Sequence, residues 1–135
     1  ENDGASDPSW NAEDIANTAD VAMSVFAADL DNDGDMDIVS ASYDDDTIAW
    51  YENDGAANPS WTASNIATNA NGAASVFVAD MDNDGDLDIV SASDKDDTIA
   101  WYENNGAIPE FPNIIMPIVS VLAIVGFHYR RRQTL

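Results

Sequence analysis

The sequence has no cysteine, a single histidine, and four Lys and Arg residues against 26 Asp and Glu. Without cysteine there are no disulfide staples, no thiolate metal sites and no cysteine nucleophile. The basic residues are scarcer than their count suggests, because Arg130, Arg131 and Arg132 form one cluster at the C-terminal end. Lys95 is then the only cation in the first 110 residues. A body this acidic, in a chain of net charge −22, repels nucleic acid and anionic lipid headgroups, and its natural partners are cations. The lone histidine, His128, falls in the apolar tail, where an interfacial position is the simplest reading. No Ser-His-Asp set exists outside that tail, so the chain is not expected to be an enzyme. What the sequence does have is 45% apolar residues and four Trp, too many for a disordered acidic segment.

It also has a repeat. Glu1-Asn2-Asp3-Gly4-Ala5 recurs as Glu52-Asn53-Asp54-Gly55-Ala56, and with one change as Glu103-Asn104-Asn105-Gly106-Ala107. At an offset of 51 residues and without gaps, Trp10 meets Trp61, Ile15 meets Ile66, and Val25-Phe26 meets Val76-Phe77. The chain opens inside a repeat with neither an initiator Met nor a signal peptide. It is therefore expected to be the C-terminal piece of a longer or processed protein whose export signal lies upstream. Periods of this length mean stacked units, none of which buries its apolar face alone.

Within a repeat the apolar residues form short runs: Ser24-Val25-Phe26-Ala27-Ala28, Asp37-Ile38-Val39-Ser40-Ala41-Ser42, Thr47-Ile48-Ala49-Trp50-Tyr51 and Trp61-Thr62-Ala63-Ser64-Asn65-Ile66-Ala67. Clusters of Asp, Asn, Gly and Pro separate them, which predicts four antiparallel strands per repeat. The fold class is accordingly all-β: four-stranded antiparallel β-propeller blades in an incomplete propeller, plus one C-terminal hydrophobic helix. In phase, residues 10–16 are the outer strand of one blade. Residues 25–67 form a whole blade, and residues 76–104 supply three strands of the next.

The strongest chemical signal is Asp29-Leu30-Asp31-Asn32-Asp33-Gly34-Asp35-Met36-Asp37, repeated as Asp80-Met81-Asp82-Asn83-Asp84-Gly85-Asp86-Leu87-Asp88. Carboxylates at alternate positions, with glycine sixth for a sharp turn, are what calcium coordination asks for. Asp29, Asp31, Asp33 and Asp37 would give side-chain oxygens and Asp35 its backbone carbonyl. Asp80, Asp82, Asp84 and Asp88 would do the same in the second loop, with Asp86 giving its carbonyl, making two Ca2+ sites. An EF-hand does not fit, because the twelfth position is Ser40 or Ser91 and the flanks are strands. Magnesium suits so many flexible carboxylates less well. The plain alternative, an acidic turn left solvated, does not explain the alternation, the placed glycine or the repetition. Asp44-Asp45-Asp46, aligned with Lys95-Asp96-Asp97, is a polar hairpin turn. Trp50-Tyr51 and Trp101-Tyr102 are core between blades in preference to a sugar-stacking platform.

The stretch Ala28-Asp29-Leu30-Asp31-Asn32-Asp33-Gly34-Asp35-Met36-Asp37-Ile38-Val39, followed by Trp50-Tyr51-Glu52-Asn53, resembles the FG-GAP/VCBS-type repeats of integrin-α-like β-propellers and many microbial surface proteins. The resemblance covers about residues 1–107 and implies calcium at both loops and propeller blades. It does not imply an integrin-like ligand.

At Ala107 the composition flips. Residues 108–113 are a Pro-bounded linker, residues 114–129 carry no charge, and residues 130–135 are basic. As a helix the apolar run is about 24 Å long, short of the ~30 Å hydrocarbon core. The basic cluster places the extreme C-terminus in the cytoplasm and the repeats outside. Pro109-Glu110-Phe111 ahead of a short span and an Arg cluster resembles a PEF-CTERM sorting signal, which implies processing by an archaeosortase-like enzyme. A retained single-pass membrane anchor is the alternative.

The expected function is a calcium-binding repeat protein displayed on the cell envelope, membrane-anchored or sorted, acting in adhesion or in binding a surface protein or glycan. The other readings are the terminal blades of a surface hydrolase or lyase, and a structural stalk or surface-layer component. The loop assignment makes a direct prediction: Asp33→Ala combined with Asp84→Ala abolishes calcium-dependent protection from limited proteolysis, whereas Asp45→Ala leaves it nearly unchanged.

Overall fold

Runs of β-branched and aromatic residues between Asp/Asn/Gly turns fold as seven strands: β1 (Ala22–Ala28), β2 (Asp37–Ser42), β3 (Thr47–Asn53), β4 (Trp61–Ala67), β5 (Ala73–Ala79), β6 (Asp88–Ser93) and β7 (Thr98–Tyr102). They come from a computed structural model that describes residue 7 and residues 10–106. The linker, apolar helix and basic end expected over residues 108–135 lie outside the described residues, and among the described residues no helix is long and apolar enough to cross a membrane.

The strands make two antiparallel meanders, β1-β2-β3-β4 and β5-β6-β7. This is the expected division into one complete four-stranded unit and three strands of the next. The strand expected at residues 10–16 does not form: Trp10 makes a single bridge and residues 11–16 are irregular. Its counterpart β4 is a strand because β3 lies beside it, pairing Asn53 with Trp61 and Ile48 with Ala67. No described strand runs alongside residues 12–16 to extend the bridge at Trp10 into a ladder.

Local chemistry sets the turns. Between β2 and β3, Asp46 sits at φ 54, a left-handed conformation that Asp tolerates, and the Thr47 hydroxyl donates to the Asp45 carbonyl at 2.9 Å. Between β3 and β4, the Asp54 carboxylate accepts the N–H groups of Ser60 and Ala56 at 3.0 and 3.1 Å. Those two bonds, Ser60 first, hold the carboxyl below its ordinary range.

The two sheets stack face to face. Cross-strand partners share a face, so Phe26, Val39 and Trp50 line one side of the first sheet, with Ala41 and Ile48 on the same side. From the second sheet come Val76, Val78 and Ile89, and all join one core with Leu30, Ala70 and Ala73. Val39, Ala41, Ile48 and Ala73 are wholly buried; the alanines let the sheets approach closely. Phe26 and Phe77 meet edge to face, centroids 5.3 Å apart, a favoured aromatic geometry.

Polar contacts rim this joint. Lys95 reaches back from the second sheet to the carbonyl of Tyr43, lies 4.2 Å from the centre of its ring, and sits 3.9 Å from the carboxylates of Asp44 and Asp46. The N–H of Gly72 donates to the Asp46 carboxylate at 2.8 Å. Gly72 has φ +66, and a Cβ there would press on Lys95 and the Tyr43 ring. The equivalent position in the first repeat is Val21, at φ 53, an outlier for a β-branched residue.

Two substitutions test this contrast. Val21→Gly relieves left-handed strain of about 1–2 kcal/mol against a backbone-entropy cost of about 0.5–1 kcal/mol, so it raises the urea midpoint slightly. Gly72→Val adds both strain and a clash at the joint, and lowers stability by more than about 2 kcal/mol in the same measurement.

Candidate metal centre

The two acidic stretches are the hairpin loops β1–β2 and β5–β6. Asp29 follows the last residue of β1 and Asp37 opens β2; Asp80 and Asp88 hold the same places around the second loop. Each loop winds around its own carboxylates. Asp29 accepts the N–H of Gly34 at 3.0 Å, Asp31 that of Asp33 at 3.2 Å, and Asp33 that of Asp35 at 2.9 Å. In the second loop Asp80 accepts from Asn83 and Gly85, Asp82 from Asp84, and Asp84 from Asp86. Asn32 and Asn83 are left-handed, and Gly34 and Gly85 have φ +97 and +100. No atom crowds either glycine, so backbone conformation and not space calls for glycine there.

Asp29, Asp31 and Asp33 each offer an oxygen within 4.8 Å of the other two; Asp80, Asp82 and Asp88 do the same. Burial pushes the Asp31 carboxyl up, the Asp33 N–H opposes this, and the negative charges of Asp33, Asp37 and Asp29 add to the rise. Asp82 is raised in the same way, by burial and by Asp84 and Asp88 against the Asp84 N–H. Asp29 Oδ1 is buried with no hydrogen-bond partner, although buried oxygens are nearly always satisfied. An all-oxygen set with converging negative charge and one orphaned oxygen fits a hard divalent cation such as Ca2+.

The other candidates are placed differently. Asp37 is fully buried, and its two oxygens accept the N–H groups of Leu30 and Asn53 at 3.1 and 2.9 Å. Asp88 repeats this with Met81 and Asn104 at 3.0 and 2.8 Å and also reaches its loop's oxygen group. Burial pushes Asp88 up, but the Asn104 and Met81 N–H groups and the Trp101 side chain together hold it below the ordinary range. Asp84 lies outside the second oxygen group. Asp35 and Asp86 lie outside both, their carboxylates resting against Gly55 and Gly106, where a Cβ would collide with them. Only their backbone carbonyls are then left for the role expected of them.

Sequence reasoning missed the residues that brace these loops from a distance. The Asn53 amide donates to the carbonyl of Met36 at 3.1 Å, and the Asn104 amide to those of Leu87 and Leu30 at 3.3 and 3.0 Å. Asn32 reaches Asp86 across the joint at 3.0 Å, so the two loops touch. Their signal was the recurrence of Trp-Tyr-Glu-Asn at the repeat spacing. Beside the loops, a cleft of about 610 Å3 opens between the sheets, lined by Leu30, Trp50, Leu87, Ile89 and Tyr102 with Asp31, Asn32 and Asp86 at its polar side. Trp50 and Tyr102 pack on the core, as expected of them. Trp101 is half exposed.

A family model described as FG-GAP-like repeat matches residues 29–91 and 80–125. No curated protein and no solved structure matches the chain.

Two variants separate holding the loop from binding the metal. Asp37→Ala strips the partner from two buried N–H groups and costs about 2–4 kcal/mol by urea unfolding, with or without chelator. Asp31→Asn removes a crowded charge, so it leaves the chelated protein at least as stable and erases the increment that calcium adds.

Proposed function

The chain belongs to the FG-GAP-like repeat family, and from that premise we propose that it is a calcium-binding extracellular repeat protein whose sheets are blades of a β-propeller. The observation that carries the calcium reading is the buried, unpartnered Oδ1 of Asp29 beside the oxygens of Asp31 and Asp33. Calcium supplies the positive charge that this crowded group lacks. Because it binds only the ordered loop, its binding free energy becomes folding free energy.

Display outside the cell agrees with a stability that depends on abundant calcium. Residues 114–129 would anchor or sort the chain, with an archaeosortase-like enzyme acting near Pro109-Glu110-Phe111. Adhesion is the role we assign, with a surface protein or glycan as ligand. The cleft supports it by offering aromatic rings beside carboxylates and an amide, the groups that stack on and hydrogen-bond a sugar. The role we assign is binding, with the clustered loop carboxylates given to calcium in preference to acid–base work.

A calorimetric titration of the chain with CaCl2, with MgCl2 as control, tests the proposal. Two calcium sites that magnesium does not fill are expected. A flat calcium titration of a folded chain overturns it.

A further inference from the structure

The cleft between the sheets carries charge of one sign only. Asp31, Asp86 and Glu103 line it, and no Lys, Arg or His does. Lys95, the sole basic side chain among the described residues, sits beyond the far end of β6. A strand of that length spans roughly 17 Å, about twice the distance over which physiological salt screens a charge. The three carboxylates are therefore not answered from within the protein.

Two of them are already engaged. Asp31 accepts the N–H of Asp33 and belongs to the first oxygen group, and Asp86 accepts the amide of Asn32. The Glu103 carboxylate is exposed and pairs with no other described residue. A donor is idle as well: Trp50 lines the cleft, and its Nε1 is buried without a hydrogen-bond partner. The equivalent indole of Trp101 is satisfied by Asp88, so the unmet N–H is particular to the cleft. Leaving such a donor unpaired is costly, and an acceptor entering beside the ring relieves it.

An occupant thus has three conditions to meet. It needs a positive group for Glu103, an acceptor oxygen for the Trp50 N–H, and an apolar surface for Leu30, Ile66, Leu87 and Ile89. Anions fail the first. Lys and Arg side chains meet it but carry donors only. A neutral sugar offers the acceptor and the apolar C–H face but leaves the charge unanswered. A sugar with a free ammonium group meets all three within one ring. The cleft, about 610 Å3, has the size of a small-ligand site.

We propose that the cleft binds an amino sugar whose nitrogen is unacetylated. The inference rests on the glycan-binding role assigned above and narrows the class of glycan.

The test is calorimetric titration of the full chain in CaCl2 and a detergent without a sugar headgroup. The pH is mildly acidic, so that the sugar amine is protonated. Four probes are compared: the glucosamine disaccharide, its N,N′-diacetyl form, cellobiose, and butylamine as a mimic of a lysine side chain. The glucosamine disaccharide is expected to bind one-to-one and about 10-fold more tightly than the others, the worth of a charge-assisted hydrogen bond. Glu103→Gln should lower it to the affinity of cellobiose and leave cellobiose itself unchanged. Asp45→Asn removes the same charge at the far end of the joint and should change nothing. Both side chains are exposed, so far-UV circular dichroism should be unaltered in each variant.

Equal affinity for the three sugars, or an equal loss in Asp45→Asn, overturns the proposal and leaves the glycan reading standing. Butylamine binding as tightly as the disaccharide also overturns it, in favour of a basic side chain of a protein ligand. A folded chain that takes up calcium but no sugar overturns this proposal and the glycan reading together, as it would if residues 107–135 filled the cleft.

Discussion

One buried carboxylate closes the end of each sheet, and the loops depend on it. Asp37 opens β2, yet its oxygens bind the N–H of Leu30, within the preceding loop, and that of Asn53, at the end of β3. A charge buried this deeply is tolerated only when hydrogen-bonded, and here the backbone alone satisfies it. Strand, loop and neighbouring strand are pinned at a single point, which holds Asp29, Asp31 and Asp33 where their oxygens converge. Asp88 does the same with Met81 and Asn104. Crowding of the remaining carboxylates is then a consequence of fold geometry.

The joint between the sheets answers a second constraint. A meander of small strands has little interior of its own, so each sheet gains its core by packing on its neighbour. The apolar contact of Val39, Ile48, Val76 and Ile89 provides the area, and Lys95, the sole Lys or Arg among the described residues, sits where the carboxylates of Asp44 and Asp46 would otherwise face one another unopposed. The link from Asn32 to Asp86 couples the two loops through the same joint.

Much of this was legible in the sequence because repetition doubles every signal. The strand runs around Val39, Trp50 and Ile66 and the turn at Asp44-Asp45-Asp46 fall where patterning and turn chemistry place them. Residues 10–16 did not follow, because a strand needs a neighbour and pattern alone does not provide one. At the candidate metal centre, alternation singled out ten carboxylates but treated them as equals, whereas only Asp29, Asp31 and Asp33, and Asp80, Asp82 and Asp88, bring their oxygens together. Asp37 is spoken for by backbone N–H groups, and Asp35 is turned toward Gly55. Neither fact is local: each depends on a residue more than a dozen positions away, brought close by the β2–β3 hairpin.

The near-identity of the two repeats at their joint also bears on how such a chain changes over generations. Val25 and Val76, Ile48 and Ile99, and Asn53 and Asn104 occupy equivalent sites, so a unit gained or lost by unequal recombination meets neighbours with the same surfaces as before. No new interface has to evolve alongside the insertion. Length becomes a quantity that selection can adjust in whole units, while the divergent pairs, Tyr43 with Asp94 and Asp44 with Lys95, mark where individual units have begun to acquire an address within the array.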